Sequence, residues 1–249
     1  DNSVYGAVMK GINESTVHRG QIERVFSKAL FHDAYKLSLM LSQNDRKMLA
    51  CILAKTDIQI IKRVIRSIHT GVSLDIGTVK SLYKDETLGI PFDLKAVLTA
   101  RSYQELAQAL KPTPVYQVIE PFLRENLENT FELENALDQY YYTMLHKSAD
   151  AYLRGKDRRI TKEFLAAEVD MHNLLRSYRY REYYSYSGEK MLAHLFPNQY
   201  KLRPDFWKRM AESDSKDFRA LVSETRYGSL FAQENDDRWY QEASQAMAN

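Results

Sequence analysis

Apolar residues recur along this chain at spacings of three and four, in long stretches that glycine and proline do not interrupt. Between Pro121 and Gly155 neither breaker occurs, and Leu123, Leu127, Phe131, Leu137, Tyr141, Met144, Leu145 and Tyr152 fall on one stripe of a long helix. Glu125, Glu128, Glu132 and Glu134 occupy its first half, and Lys147, Arg154 and Lys156 its end. That distribution matches the helix dipole, with Gly155 as the expected C-terminal cap. A second long helix is expected to start after Thr161 and to end at about Tyr186, before Gly188. An earlier one runs from about Arg46 to His69 and stops at Gly71, with Leu49, Ile52, Leu53, Ile60, Ile61, Val64 and Ile68 on its buried face. Shorter helices are predicted around 22–43, 78–84, 92–100, 102–110, 205–211 and 214–223. No segment alternates as a strand would. The predicted fold class is all-α.

A weak internal repeat runs through these elements. Asp57-Ile-Gln-Ile-Ile-Lys-Arg63-Val-Ile-Arg66 aligns with Asp170-Met-His-Asn-Leu-Leu-Arg176-Ser-Tyr-Arg179 at an offset of 170 − 57 = 113. Asp93 aligns with Asp205 at 205 − 93 = 112, and Leu106, Leu110 and Thr113 fall opposite Phe218, Val222 and Thr225 at the same 112. Tyr116 and Tyr227 close the two short segments with one residue of slippage. The expected organisation is tandem helical units of about 112 residues: a first over 1–90, a second over 91–203, and the start of a third over 204–249, cut short at Asn249. The opening at Asp1, without Met, points the same way, to a trimmed or divided chain.

Composition then narrows the class. Lys+Arg minus Asp+Glu is 35 − 33 = +2, too little for a strong field that would hold nucleic acid or an anionic membrane. Gly and Pro number 9 and 6, too few for the frequent turns of an all-β fold. No apolar run reaches the roughly 20 residues of a membrane span. The single cysteine, Cys51, excludes an internal disulfide framework and a cysteine-based zinc site. No charged-then-apolar signal segment opens the chain. The class expected from composition is a soluble, helical, intracellular protein.

Catalytic chemistry is sought and not found. The sequence has no Gly-rich phosphate loop, GxSxG elbow or HExxH pair, and its six histidines show no i, i+4 pairing. Glu168, Asp170 and His172 share a helix, but successive odd positions diverge by roughly 200° and do not converge on one ion. No catalytic, metal or cofactor residue is assigned. Asp57 and Asp170 stand inside predicted helices, where Asp is a poor helix former and too far from the start to cap. The expectation for each is a structural pair with an arginine on a neighbouring helix, with contact to a partner as the alternative. Nine of the seventeen tyrosines lie between Tyr140 and Tyr186, interleaved with Arg176, Arg179 and Arg181. Such a region suits a protein interface or a core, and also a stacking platform for single-stranded nucleic acid.

Three of these patterns resemble the C subunit of bacterial and archaeal V/A-type ATPases, the family that includes the d subunit of the eukaryotic V-ATPase. They are Leu133-Glu134-Asn-Ala-Leu137-Asp138-Gln-Tyr140, then Asp170-Met-His-Asn173-Leu174-Leu-Arg176-Ser-Tyr-Arg179, and the segment ending in Thr113-Pro-Val-Tyr116, seen again as Thr225-Arg-Tyr227. The opening Tyr5-Gly-Ala is similar to the family's N-terminal helix. One departure is Ile60, where the family pattern has Asn. The resemblance implies three similar helical units set as a funnel with pseudo-threefold symmetry. It implies a non-catalytic coupling subunit, without cofactor, of a rotary ATPase that transports protons or sodium. Such a protein would sit peripherally on the cytoplasmic face of the membrane, on the rotor ring, as a socket for the D and F subunits of the central stalk. Asp57, Arg63, Tyr116, Glu134, Asp138, Asp170, Asn173, Arg176, Arg179 and Tyr227 are the motif positions expected to build its framework or its contacts. The alternative reading is a helical nucleic-acid-binding or scaffold protein that uses the Tyr/Arg-rich region 140–186.

Overall fold

The computed structural model describes residues 19–74, 89–124, 130–197 and 201–231, with residues 6 and 76 in isolation. The helix predicted at 78–84, the opening tyrosine Tyr5 and residues 232–249 lie outside this set. Among the described residues the regular structure is all helical, as the apolar spacing predicts. The chain divides into two compact units, one of residues 1–141 with 151–153, the other of residues 142–150 with 154–249.

In the first unit, α1 (Arg19–Met40) is followed after a two-residue turn by α2 (Gln43–Thr70). α2 starts three residues before the expected Arg46 because the Ser42 hydroxyl accepts the Asp45 N–H at 3.3 Å and caps it. It stops at Gly71, whose φ of +70° is the left-handed conformation that ends helices at glycine. Three short helices follow: α3 (Leu94–Thr99), α4 (Tyr103–Leu110) and α5 (Val115–Ile119). Asp93 and Ser102 cap α3 and α4 through the N–H groups of Ala96 and Glu105. Ile61, Ile65, Leu106, Leu110, Val115, Ile119, Leu133 and Leu137 are fully excluded from water and form the core. Ile52, expected on the buried face of α2, is 45% exposed, whereas Met48, one turn earlier, is 4% exposed.

The uninterrupted helix predicted from Pro121 to Gly155 does not form as one piece. Glu120–Arg124 takes the tighter 3-10 form, and α6 (Phe131–Tyr152) begins only after Thr130. The Thr130 hydroxyl meets the Glu134 carboxylate at 2.9 Å, and its carbonyl accepts the Glu134 N–H. A stripe of leucines carries no mark of such an entry point.

In the second unit α7 (Gly155–Glu182) starts six residues before the expected boundary. Gly155, expected to cap the preceding helix, opens this one with φ +52°. Positions 155–160 are all exposed, so no apolar period announces that first turn and a half. After it come α8 (Gly188–Ala193), α9 (Pro204–Glu212), α10 (Ser215–Ser223) and a 3-10 turn, Gly228–Phe231. A side chain at Gly188 would bring its first carbon to 2.5 Å from the Ala211 carbonyl oxygen, so glycine lets α8 and α9 approach backbone to backbone. Ala166, Val169, Leu174, Tyr180, Phe196, Trp207, Met210 and Phe218 make up this core.

The element bounds recur. α1 and α6 are both 22 residues, α2 and α7 both 28, with starts separated by 131 − 19 = 112 and 155 − 43 = 112. Thr113 and Thr225 make the same local bond, each hydroxyl donating to the carbonyl three residues back, at 2.8 and 2.7 Å.

Candidate functional site

Two buried carboxylates organise the irregular segments of the two units. Asp57 is 3% exposed in the middle of α2, and its Oδ2 accepts the Ile90 N–H at 2.7 Å. Gly89 precedes that amide with φ +137°, and a side chain there would collide with the Asp57 carboxylate. Only glycine permits both the backbone angle and the approach. Asp170 is fully buried in α7, and its Oδ2 accepts the N–H groups of Lys201 and Leu202 at 3.0 and 3.1 Å and faces the Tyr227 hydroxyl at 3.3 Å. Ile90 and Leu202 stand 202 − 90 = 112 apart, the period of the helices. The groups these bonds tie down are backbone amides of the segment that precedes the next short helix, joined at Asp170 by the Tyr227 hydroxyl, because an acid inside a helix can satisfy loop donors that have no ladder of their own.

One turn along α7, Asn173 holds another loop residue at both ends. Its amide donates to the Phe196 carbonyl at 3.1 Å and its carbonyl accepts the Phe196 N–H at 2.7 Å. The Arg176 guanidinium lies 4.0 Å over the Phe196 ring. Burial, then the Asp170 charge, raises the Tyr227 hydroxyl above the ordinary tyrosine range, so it stays a neutral donor to that carboxylate. Position 60, where the family pattern has Asn, carries an Ile that is 2% exposed in the core of the first unit.

The first unit adds an ionic cluster between α2 and the start of α6. Lys62 Nζ meets both Asp138 oxygens at 2.8 and 2.9 Å and Glu134 at 3.8 Å, while Arg66 forms a two-point pair with Glu134. Burial pushes the Glu134 carboxyl upward, but the bonds from Arg66 and Thr130 and the nearby cations outweigh it and hold it below its ordinary value. Glu134 and Asp138 thus come together with Lys62, a residue that sequence reasoning passed over. Arg63 and Arg179 lie exposed, and the half-buried Tyr116 hydroxyl meets Glu120 at 3.3 Å. Arg181, singled out only as one of the arginines among the tyrosines, has a structural role of its own. Its Nη2 donates to the Met210 and Ala211 carbonyls at 2.8 and 3.2 Å, closing the C-terminal end of α9. Among the described residues no three His, Cys, Asp or Glu side chains are grouped as a metal site requires.

A polar framework of this kind holds backbone in place, and its context comes from comparison with known proteins. The model of the ATP synthase (C/AC39) subunit family matches residues 1–248. The chain belongs to that family. The A-type ATP synthase C subunit of Methanosarcina acetivorans is 26% identical over 204 residues, which cover 82% of this chain and 54% of the relative. That of Methanosphaera stadtmanae is 27% identical over 213 residues, covering 80% and 52%. The protein of the same name from Methanosarcina mazei reaches 36% over a shorter 81 residues, 32% of this chain and 21% of the relative. This ATP synthase (C/AC39) family chain spans about half the length of the curated relatives it matches over most of its own length. Among its described residues no helix is long and apolar enough to cross a membrane.

Proposed function

We propose that this chain is part of a non-catalytic coupling subunit of a rotary A/V-type ATPase. The whole protein would rest on the membrane rotor ring, at the cytoplasmic face, and receive the D and F subunits of the central stalk as a socket. Torque would pass through it between ATP chemistry in the head and the movement of protons or sodium in the membrane. The family match along residues 1–248 carries this reading. The chemistry fits the role. A torque-bearing body must keep its connecting segments from yielding, and the Asp57, Asp170 and Asn173 side chains bind those segments to long helices. The tandem units of about 112 residues, over 1–90, 91–203 and 204–249, belong to the same proposal and are supported by the matching starts of α1 with α6 and α2 with α7.

The test is calorimetric titration of the purified D–F stalk pair into this chain and into a full-length relative of the family, with single-stranded RNA as the control ligand. Saturable one-to-one binding of the stalk by the full-length protein, with no heat from RNA, is the expected result. A full-length protein that ignores the stalk would sink the socket role. Salt-sensitive RNA binding by the Tyr/Arg-rich region 140–186 would put a nucleic-acid function in its place.

A further inference from the structure

The buried polar line of the second unit continues past Asn173 to groups that the bonds described above do not reach. Ser177 lies one turn on along α7 and is fully buried, and Trp207 on α9 is 2% exposed. The Ser177 hydroxyl makes no back-bond to the carbonyl a turn before it. Neither it nor the Trp207 indole N–H has a hydrogen-bond partner among the described residues. Arg181 shares this condition at one atom: its Nη2 holds the Met210 and Ala211 carbonyls, while its buried Nε has no partner among the described residues. A buried polar group left so costs its full desolvation, and nearly all such groups in folded proteins are met by protein or by ordered water.

Two anchors place these side chains along one seam. The Leu202 amide is tied to Asp170, and the Met210 and Ala211 carbonyls are tied to Arg181. The stretch from Leu202 through α9 therefore runs in the same direction as α7 from Asp170 to Arg181. Trp207 falls between the anchors, alongside the turn that carries Asn173 and Ser177, and is buried on α9 together with Met210. Ser177 and Arg181 are four residues apart and so follow one another on one face of α7. Donors and acceptors do not balance here. The indole N–H and the guanidinium Nε–H can only donate, and the one hydroxyl is bonded to neither. In the alignment that pairs Asp57 with Asp170, Ser177 stands opposite Val64, which is 1% exposed, so the repeat itself does not require a hydroxyl at this place.

We propose that the seam between α7 and α9 is a binding site for one internal water, which accepts the Trp207 and Arg181 N–H groups and donates to the Ser177 oxygen. Water fits this inventory because it accepts twice and donates twice, and a buried water is held by two to four polar partners. α9 is then joined to α7 in two ways. Direct bonds hold it at Asp170 and Arg181, and a bridge through water holds it between them. The site rests on the geometry of the second unit and not on the socket role.

The test is a crystal structure of the whole chain at a resolution that shows ordered water, grown with bromide in place of chloride. Beside it stand the urea unfolding midpoints of Ser177→Ala, Trp207→Phe and the double variant. The expected result is a compact peak, without anomalous signal, within hydrogen-bond distance of Ser177 Oγ, Trp207 Nε1 and Arg181 Nε. The drop in midpoint caused by Ser177→Ala should largely vanish when Trp207 is already Phe, because both changes act on one water. Comparing the two backgrounds also cancels the helix preference of alanine over serine. A direct bond between Ser177 and Trp207 would overturn the proposal, and so would a seam without density. An anomalous bromide peak would overturn it too, by making the seam an anion site. Strictly additive midpoint shifts would show that the two groups share nothing. Should Trp207→Phe fail to fold, the density alone decides. Titration of the D–F stalk is a separate readout, so failure of either idea leaves the other standing.

Discussion

Asp57 and Asp170 begin as the same residue in the same motif and hold different surroundings. Asp57 accepts the Ile90 amide and needs Gly89 to come close enough. Asp170 gathers two amides and a tyrosine hydroxyl and has Asn173 working beside it, where the first unit has Ile60 in plain apolar packing. The second unit has thus invested in a polar seam what the first supplies with an apolar interior and an ionic cluster nearer the surface. A buried seam is directional and fails abruptly when one member is lost. An apolar core with partly exposed ion pairs gives way by degrees.

The sharpest way to break the comparison is Asp170→Ala. It strands the Lys201 and Leu202 amides and the Tyr227 hydroxyl, and should cost about 3–4 kcal/mol in denaturant unfolding, against about 1–2 kcal/mol for Asp57→Ala. Equal losses would erase the distinction between the units. Next is Gly89→Ala, with an expected cost of about 2–3 kcal/mol from the φ of +137° and the collision with Asp57. Combining it with Asp57→Ala should recover part of that loss, and strict additivity would show that the carboxylate is not what the new methyl meets. Asn173→Ala should cost about 2 kcal/mol and shift fluorescence or near-ultraviolet signals of the aromatic residues around Phe196. A silent substitution would mean that the loop holds itself.

Acid should separate the units by a smaller margin. Glu134 has its folded pKa held below the ordinary 4.5, so its contribution is complete above that value and is lost as pH falls through the depressed one. Glu134→Gln should remove that acid sensitivity at a cost of about 1 kcal/mol at neutral pH, modest because Arg66 is 58% exposed. His146, in the second unit, is held below its ordinary 6.5 by burial and by Lys162, against the opposing pull of Asp150. Its neutral form favours the fold above 6.5, and that contribution is lost as pH falls below it. Softening of the second unit should therefore begin at a higher pH than softening of the first. Unfolding curves from pH 7 to 4, with and without His146→Gln, would check that order.

The sequence carried α2, α4, α9 and α10 to within a few residues of their expected bounds because each buries one side over two turns or more, and it passed over the shorter α5 and α8. It failed where the deciding contacts are not periodic. The first turns of α7 stand in water, and the entry to α6 depends on Thr130 and Glu134, so apolar spacing marked neither. Among the candidate residues, Asp57 and Asp170 were visible because an acid inside a helix is locally unfavourable. Their amide partners were not, because a backbone amide has no letter in the sequence. Lys62 and Arg181 look like ordinary surface cations until Asp138 and the end of α9 are placed beside them. Gly89 could have been found: a glycine 32 residues after the odd aspartate, in a segment with few others, is the signal.

The bonds from Asp57, Asp170 and Asn173 have a consequence for how these units would look to deuterium. Amides in irregular segments usually trade their protons within the lifetime of a small local opening. Those of Ile90, Phe196, Lys201 and Leu202 are tied to side chains rooted in α2 and α7, and can be released only when those helices let go. A map of slow exchange should therefore show the long helices and, standing apart from them, four loop amides, two of them adjacent, that keep time with the cores.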